Sequence, residues 1–345
     1  MIKVVGNITY LLDGAKRCAT VTKSLVPYSG DVVIPASIDV DGMEYFVVDV
    51  LDEAFKDCTG LLSVVLGDNM DSVGISAFEG CTMLSSVVFN EALHAIGLQA
   101  FKGCTALTEV VLPAKVLVIG RSAFAGCVAL KRVFLPDNLV NIEPSLFDGC
   151  RALERISVGD LVDSIGEYAF CGCGALREVL LPDGLLSIEG WAFRDCVSLA
   201  SIALPAGVAA VKKGAFWGCS SLKEFSLPVG VNMLDQGVLA NCSSLERVEL
   251  HDGVLSIGYG AFYNCSSLES VTLPAAVVNV GDQAFRSCRA LKELRVLCDA
   301  APMCSVDIAD ADVYARTLLR VPAGKVGEYG FARVWERFGN VEEIA

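Results

Sequence analysis

The strongest constraint on the fold of this chain is a 23-residue period that runs eleven times without insertion or deletion. Cysteines mark the period, at Cys58, Cys81, Cys104, Cys127, Cys150, Cys173, Cys196, Cys219, Cys242, Cys265 and Cys288. A leucine follows each of them by three residues, and a phenylalanine precedes each by three residues, except in the ninth unit, which has Leu239. An unbroken array of short units is typical of a solenoid, in which each unit packs only against its neighbours.

One unit, written from Leu107, reads LTEVVLPAKVLVIGRSAFAGC. Its first residues predict a short strand, which ends at Pro113 because proline has no N–H to donate to a ladder. Residues 122–124 predict a short helical turn, and Gly126 can adopt the positive φ that the chain needs before Cys127. A lone unit buries a few apolar side chains, at about 1.5–3 kcal/mol each, against a backbone ordering cost of about 1–2 kcal/mol per residue. The units are therefore expected to be stable only when stacked.

The composition restricts the class of protein further. The chain is 53% hydrophobic and 20% charged, with a mean hydropathy of +0.53, which excludes an intrinsically disordered chain. The longest apolar-leaning run, residues 202–211, has ten residues and contains Pro205 and Gly207. A spanning helix needs about 20 apolar residues, so no membrane span is predicted.

Charge and histidine content argue against nucleic acid binding and against catalysis. The net charge is −14, from 41 acidic and 27 basic residues, whereas a phosphate-binding surface needs clustered Lys and Arg. The two histidines, His94 and His251, occupy different unit positions, and no Ser/His/Asp or Cys/His grouping forms around either. We predict a protein that is not an enzyme, with no catalytic residues, no cofactor and no nucleic acid partner.

The cysteine ladder is interpreted as core filling. Zinc sites need cysteines that converge on one point, whereas this ladder supplies one per coil, and stacked rungs have poor geometry for disulfides. No metal site is therefore predicted. Four cysteines lie outside the ladder: Cys18, Cys171, Cys298 and Cys304. Cys171 is the best candidate for an exposed thiol, and Cys298 and Cys304 are either free or paired with each other.

The repeating motif, L-x-x-V-x-L-P-x-x-V-x-x-I-G-x-x-x-A-F-x-G-C, resembles the BspA-type leucine-rich repeat of bacterial surface and secreted proteins. The resemblance implies an α/β solenoid of the leucine-rich-repeat horseshoe type. Its features would be a concave parallel β-sheet, eleven 23-residue repeats and short helical turns on the convex side. Three segments follow: an N-terminal β cap at 1–47, the repeat array at 48–300 and a C-terminal capping segment at 301–345. Caps are needed because the end faces of an array would otherwise expose its core.

The same resemblance implies a non-enzymatic module for protein–protein interaction or cell adhesion, which presents a curved repeat surface to a host or cell-surface protein. A structural or self-assembling spacer without a dedicated ligand is the alternative. The resemblance implies a location outside the cell or on its surface. The first residues show no signal peptide, so a cytoplasmic location stays open as the alternative. The oligomeric state is not predicted.

The variable positions of the units are the candidates for partner binding, because the repeated positions build the core. Two positions of each of the eleven predicted strands should point out of the concave sheet. The candidates among them are Val65, Val88, Val111, Phe134, Leu180, Arg132 and Arg155. A row of exposed apolar side chains invites a partner. The alternative interpretation is that β-branched residues simply suit strands.

A second candidate surface is aromatic and would lie on the convex side. Its residues replace small or polar side chains of other units, and they are Tyr168, Trp191, Trp217, Tyr259 and Tyr263. Exposed Trp and Tyr commonly anchor interfaces; the alternative is that these rings pack against neighbouring coils. An acidic row follows the strands, at Asp68, Glu91, Asp137, Asp160, Asp183 and Asp252. It is interpreted as a solvated rim, with a basic partner or Ca²⁺ as the alternative.

Overall fold

The computed structural model describes residues 1–344, and Ala345, the last residue of the predicted capping segment, lies outside the described residues. The chain forms two compact units, Met1–Pro182 (unit 1) and the residues from Asp183 onward (unit 2). Each unit is a β-solenoid of stacked parallel strands, and the two together make about thirteen turns with little helix. The predicted solenoid of parallel strands is thus confirmed.

The repeated coils of unit 1 contribute strands to two separate parallel rows. The first strand row consists of Gly30–Val33, Leu61–Val65, Ser86–Val88, Glu109–Val111, Arg132–Phe134, Arg155–Ser157 and Glu178–Leu180. The second strand row consists of Ser72–Val73, Ala95–Ile96, Val118–Ile119, Asn141–Ile142 and Ser164–Ile165. The predicted strand of each unit corresponds to the first row. The second row arises where Ile119 and its equivalents return to the core.

The N-terminal residues of unit 1 differ from the repeats because most of their strands pair in antiparallel fashion. The strands are Ile2–Val5, Ile8–Asp13, Cys18–Val21, Ser37–Val40 and Met43–Val50. The first three form an antiparallel meander, and Ser37–Val40 pairs antiparallel with Met43–Val50. Met43–Val50 also pairs in parallel with Ser72–Val73, so this segment leads directly into the second strand row.

Unit 2 has the same two rows and contains the helices of the chain. Its first strand row consists of Glu224–Ser226, Arg247–Glu249, Ser270–Leu273, Glu293–Val296, Leu318–Val321 and Asn340–Glu343. Its second strand row consists of Ser187–Ile188, Ala210–Val211, Met233–Leu234, Ser256–Ile257 and Asn279–Val280. Two α-helices, Ala311–Arg316 and Val326–Phe331, and a 3₁₀ helix, Trp335–Arg337, lie near the C-terminal end. Trp335 is buried there between the rings of Tyr329 and Phe338.

A column of phenylalanine rings forms the centre of each core. In unit 1 the fully buried rings are those of Phe55, Phe78, Phe101, Phe124, Phe147 and Phe170. Successive centroids lie 4.7–5.9 Å apart with nearly parallel planes, a favourable arrangement for stacked rings. In unit 2, Phe193 stacks on Phe216 and Phe262 stacks on Phe285, each at 5.4 Å. Leu239 takes the phenylalanine position of the coil between these two pairs and is fully buried.

The cysteine ladder lies beside the phenylalanine column and is buried throughout. A ladder thiol donates a hydrogen bond to the phenylalanine carbonyl of the preceding coil: Cys104 Sγ lies 3.2 Å from the oxygen of Phe78, and Cys127 Sγ lies 3.3 Å from that of Phe101. Burial raises the pKa of the Cys127 thiol to about 12, so this group stays protonated at neutral pH. The interpretation of the ladder as core filling is confirmed, and each of these thiols gives a second hydrogen bond to a carbonyl that already accepts a backbone N–H.

The segment predicted as a short helical turn is a hydrogen-bonded turn that connects one coil to the next. The N–H of Ala123 donates to the oxygen of Gly120 at 3.1 Å, within the same coil. The N–H of Phe124 instead donates to the oxygen of Leu146 in the following coil, also at 3.1 Å. Gly126 adopts the predicted positive φ, at +73°. The N–H groups of Ser122, Phe124 and Gly126 bond to the following coil, so residues 48–300 contain turns here and no α-helix.

One predicted strand is absent from unit 2. Residues 201–205 occupy unit positions of the first strand row, but the described backbone shows no strand there. The neighbouring coil has Phe225 at the inward position that Val or Ile holds in most coils, and its ring packs against Phe216 at 5.3 Å. Ile202 stays half-buried beside this larger side chain, and no ladder forms between the two coils.

Candidate protein-interaction surface

The strands of the first row in unit 1 turn every second side chain toward solvent. Val133 is buried between exposed Arg132 and Phe134, and Ile156 is buried between Arg155 and Ser157. This alternation follows from the pleat of a strand, which points successive side chains to opposite faces. Each strand therefore presents two side chains, and parallel stacking aligns them into two outward rows.

The second of these rows is apolar, and we call it the apolar stripe. Strand pairing aligns Val65 with Val88 and Val111 with Phe134. The stripe consists of Val33, Val65, Val88, Val111, Phe134 and Leu180. Val65 is half-buried, and the other five side chains are 52–64% exposed. The five apolar residues predicted from the sequence thus lie on one face of unit 1, although their role in binding stays a prediction.

Val33 extends the stripe beyond the residues predicted from the sequence. Register pairs it with Val65, and 64% of its surface is exposed. It was missed because residues 1–47 lack the 23-residue signature. The signal that could have found it is the run Asp31-Val32-Val33-Ile34-Pro35, in which proline follows a strand as Pro113 does in the repeats.

The first outward row carries charges that pair between adjacent coils. Arg132 Nε lies 2.9 Å from Glu109 Oε1, and Arg155 Nη1 lies 3.6 Å from Glu178 Oε2. Both arginines are well exposed, so these ion pairs contribute at most about 1 kcal/mol each and exchange readily with other partners. The predicted residues Arg132 and Arg155 therefore lie beside the apolar stripe with guanidinium groups that a ligand can reach.

The first strand row of unit 2 is polar where that of unit 1 is apolar. Ser226 Oγ donates to Glu249 Oε2 at 2.9 Å, and Arg247 Nη2 lies 2.8 Å from Glu249 Oε1. These outward side chains thus satisfy one another. The exposed apolar row is a property of unit 1.

The predicted aromatic residues are divided between the units, with Tyr168 in unit 1 and the other four in unit 2. Trp191 is half-buried, and Lys213 Nζ lies 4.3 Å from its ring centroid. The ring also lies against Gly214, where an added Cβ would be only 2.5 Å from Cδ1 of Trp191. Trp217 covers Gly237 in a similar way. These two rings pack against neighbouring coils, as the alternative interpretation expected. Tyr259 is the most exposed of the set, at 47%.

Two of these aromatic residues hold a backbone conformation that large side chains seldom adopt. Tyr168 has φ of +58° and Trp191 has φ of +55°, at a turn position that Gly214 fills in another coil with φ of +60°. A non-glycine residue in this region costs on the order of 1–3 kcal/mol. The packing of Trp191 against Lys213 and Gly214 offsets part of that cost.

The remaining candidates lie apart from the apolar stripe. The predicted acidic row is exposed at all six positions. His94 Nδ1 lies 2.6 Å from Asp71 Oδ1 at the surface, and His251 Nε2 lies 2.9 Å from the oxygen of Val231. Cys171, predicted as an exposed thiol, is half-buried and hydrogen-bonded to Asp148, a carboxyl group whose pKa burial raises.

The other cysteines outside the ladder are thiols in the structure. Cys298 is buried and donates to the oxygens of Pro274 and Val277, whereas Cys304 is half-buried and contacts the oxygen of Pro302. No cluster of three or more His, Cys, Asp or Glu side chains that could hold a metal ion occurs in the described residues. Across residues 1–344, no helix combines the length and apolar character needed to cross a membrane.

Stacked parallel coils with an exposed strand row define a solenoid protein of the leucine-rich-repeat class. The family profile described as BspA type leucine rich repeat region matches residues 48–177 and 163–292. The chain belongs to the BspA-type leucine-rich repeat family. Such proteins are repeat scaffolds, generally non-enzymatic, and typically protein-interaction or cell-surface modules.

Two solved structures are similar to this chain over most of its length. A leucine-rich repeat protein from Bacteroides ovatus is 24% identical, with a TM-score of 0.66, over 99% of this chain and 100% of that chain. A leucine rich cell surface protein from Faecalibacterium prausnitzii is 26% identical, with a TM-score of 0.53, over 86% of this chain and 94% of that chain. No curated protein matches the chain.

Proposed function

We propose that this protein is a cell-surface interaction module that binds another protein through the apolar stripe of unit 1. The observation that carries the proposal is the row of five apolar side chains, each 52–64% exposed, on the first strand row of unit 1. Monomeric soluble proteins seldom expose contiguous apolar rows without a partner. The likeness to a leucine rich cell surface protein supports the surface location.

The energetics of such a face favour protein contact over small-molecule binding. The stripe is long and shallow, and burying its side chains would gain about 25 cal/mol per Å² of apolar surface removed from water. The flanking arginines and glutamates would form the polar rim that usually surrounds the apolar centre of an interface. A folded protein surface or an extended segment matches this shape.

Binding to a panel of immobilised host matrix and cell-surface proteins tests the proposal. The double variant Val88→Ala, Val111→Ala shortens the stripe at two exposed positions, so folding should be unaffected. We expect affinity for at least one panel protein to fall by about tenfold or more, since each truncation removes about 1 kcal/mol or more of buried apolar contact.

The matched control is Leu255→Ala, Val278→Ala in unit 2, where both side chains are exposed outside the stripe. This variant should bind like the wild type. The proposal fails if no panel protein binds, or if the stripe variant and the control lose affinity equally.

A further inference from the structure

The apolar stripe is interrupted at one position, which adjoins a break in the first strand row. Arg132–Phe134 pairs with Glu109–Val111, and Arg155–Ser157 pairs with Glu178–Leu180. No ladder joins Arg132–Phe134 to Arg155–Ser157 in the part of the chain that the structure describes. The ladder is therefore interrupted between the two strand pairs, and a cavity lies over this interruption.

We call this cavity the notch. It has a volume of about 190 Å³, and the exposed side chains of Phe134 and Leu180 form its walls. Val133 and Ile156 line its floor, and Ser157 lies between the walls. The space exists because Ser157 is small where the other members of the row are Val, Phe or Leu. Its size suits a single leucine or phenylalanine side chain.

The surroundings of the notch are basic, in contrast to the chain as a whole, whose net charge is −14. Its lining includes two exposed basic side chains, Arg132 and Arg155, against one acidic side chain, Glu178. Both guanidinium groups lie at the surface in exposed ion pairs, Arg132 with Glu109 and Arg155 with Glu178. Because exposed ion pairs are weak, the carboxylates of an acidic ligand can replace these glutamates as partners of the two arginines beside the apolar cavity.

We propose that the notch binds one large apolar side chain from an acidic segment of the partner protein. The apolar side chain would lie between Phe134 and Leu180, and neighbouring carboxylates would pair with Arg132 and Arg155, whose guanidinium groups suit carboxylates. A basic segment would be repelled, which gives selectivity as well as affinity. This inference rests on the proposed function and specifies the chemistry of the partner.

A fluorescein-labelled peptide with one leucine between runs of aspartate tests the proposal, with binding to the full chain measured by fluorescence anisotropy. Ser157→Phe fills the notch without entering the core, because Ser157 is exposed. We expect it to weaken binding by about tenfold or more, the effect of excluding one buried leucine side chain. Replacing the peptide leucine by serine should cause a similar loss.

Thr272→Phe is the matched control, since it introduces the same ring at the same unit position of unit 2, and binding should stay within about twofold. Arg155→Gln should weaken binding and reduce its dependence on salt, because one charge contact is lost. Absence of peptide binding by the wild type, or equal binding by Ser157→Phe, would overturn the proposal. The Val88→Ala, Val111→Ala variant separates the two proposals. If it binds its panel protein more weakly while the peptide experiment fails, the apolar stripe still binds a protein and only the proposed chemistry of the notch is wrong.

Discussion

Two side chains repeated in nearly every coil form the central columns of the core at the scale of single residues. A phenylalanine stacks on the ring of the next coil, and a cysteine three residues later reaches back to a phenylalanine carbonyl. A ring fills the centre of the coil, whereas a thiol is small and apolar yet can still donate a weak hydrogen bond. This combination suits a narrow core in which every coil must leave few polar groups without partners.

Truncation of one ring measures the strength of the column. Phe124→Ala should lower the free energy of unfolding by about 3–5 kcal/mol, because the ring is fully buried between Phe101 and Phe147. Phe134→Ala, the same change at an exposed position, should cost less than about 1 kcal/mol. Urea denaturation of both variants checks this, and equal losses would show that the column is not the core.

The cysteine ladder predicts a loss of stability in alkali. Burial raises the pKa of Cys127 from 9.0 to about 12. Between these values the folded state keeps the proton and the unfolded state releases it. The contribution of this thiol is therefore complete below pH 9 and declines as pH rises, by about 1.4 kcal/mol per pH unit.

Cys127→Ala removes this dependence. At pH 8 the free energy of unfolding of this variant should be lower than that of the wild type. Between pH 9.5 and 11 it should fall less steeply with pH, and the two slopes should differ by about 1.4 kcal/mol per pH unit, the contribution of one thiol. Ser157→Ala, which changes an exposed residue, should keep the wild-type slope. Parallel slopes for wild type and Cys127→Ala in urea titrations would mean that the thiol ionises as easily in the folded state.

At the scale of elements, the coil that contains Leu239 is the exception in unit 2. Its leucine interrupts the ring column between the Phe193–Phe216 and Phe262–Phe285 pairs, so two stacking contacts are absent. Each such contact is worth about 0.5–1.5 kcal/mol beyond burial. The backbone hydrogen bonds of this coil are nevertheless formed, as in its neighbours.

Hydrogen exchange should identify this coil as the least protected in the interior of unit 2. The N–H of Leu239 bonds to Ala261, just as that of Phe216 bonds to Val238 and that of Phe262 to Ala284, so the three amides are matched. We expect Leu239 to exchange fastest, because weaker packing lowers the cost of local opening. Exchange at Leu239 slower than at Phe216 and Phe262 would contradict the assignment.

The sequence predicted the first strand row and its outward residues because three signals agree there: leucine spacing, alternation and a terminating proline. The second strand row was not predicted as strand, since two residues such as Val118–Ile119 are too few for a recognisable pattern. Residues 201–205 fit the unit pattern of a strand but form none, so the sequence pattern alone does not decide strand formation in that coil. The small residue at the notch, Ser157, can be read from the sequence, but the cavity between Phe134 and Leu180 could not be predicted from the repeat spacing.

At the scale of the whole molecule, the 23-residue period separates stability from function. The repeated positions are buried and build the solenoid, whereas the positions that vary between coils are exposed and differ between unit 1 and unit 2. The net charge of −14 is carried on this variable surface, and the basic residues around the notch are a local exception. Recognition is therefore expected to depend on a few side chains that contribute little to folding.

The alternative function, a self-assembling spacer without a dedicated ligand, predicts a different behaviour of the whole molecule in solution. A self-assembling module should increase in mean mass with concentration, whereas a module that binds a different protein should keep a constant mass. Light scattering over a wide concentration range distinguishes the two. A concentration-dependent mass that Val88→Ala, Val111→Ala abolishes would show that the stripe binds a second copy of the chain.

Hydroxyl-radical footprinting of the protein with and without its bound partner reports which side chains the partner covers, and so tests whether the apolar stripe is the binding surface. Binding through the apolar stripe should protect Phe134 and Leu180 and leave Leu255 and Val278 unchanged as exposed references. Protection confined to Trp191, Trp217 and Tyr259, with Phe134 and Leu180 still fully reactive, would contradict it and would assign binding to the aromatic residues of unit 2.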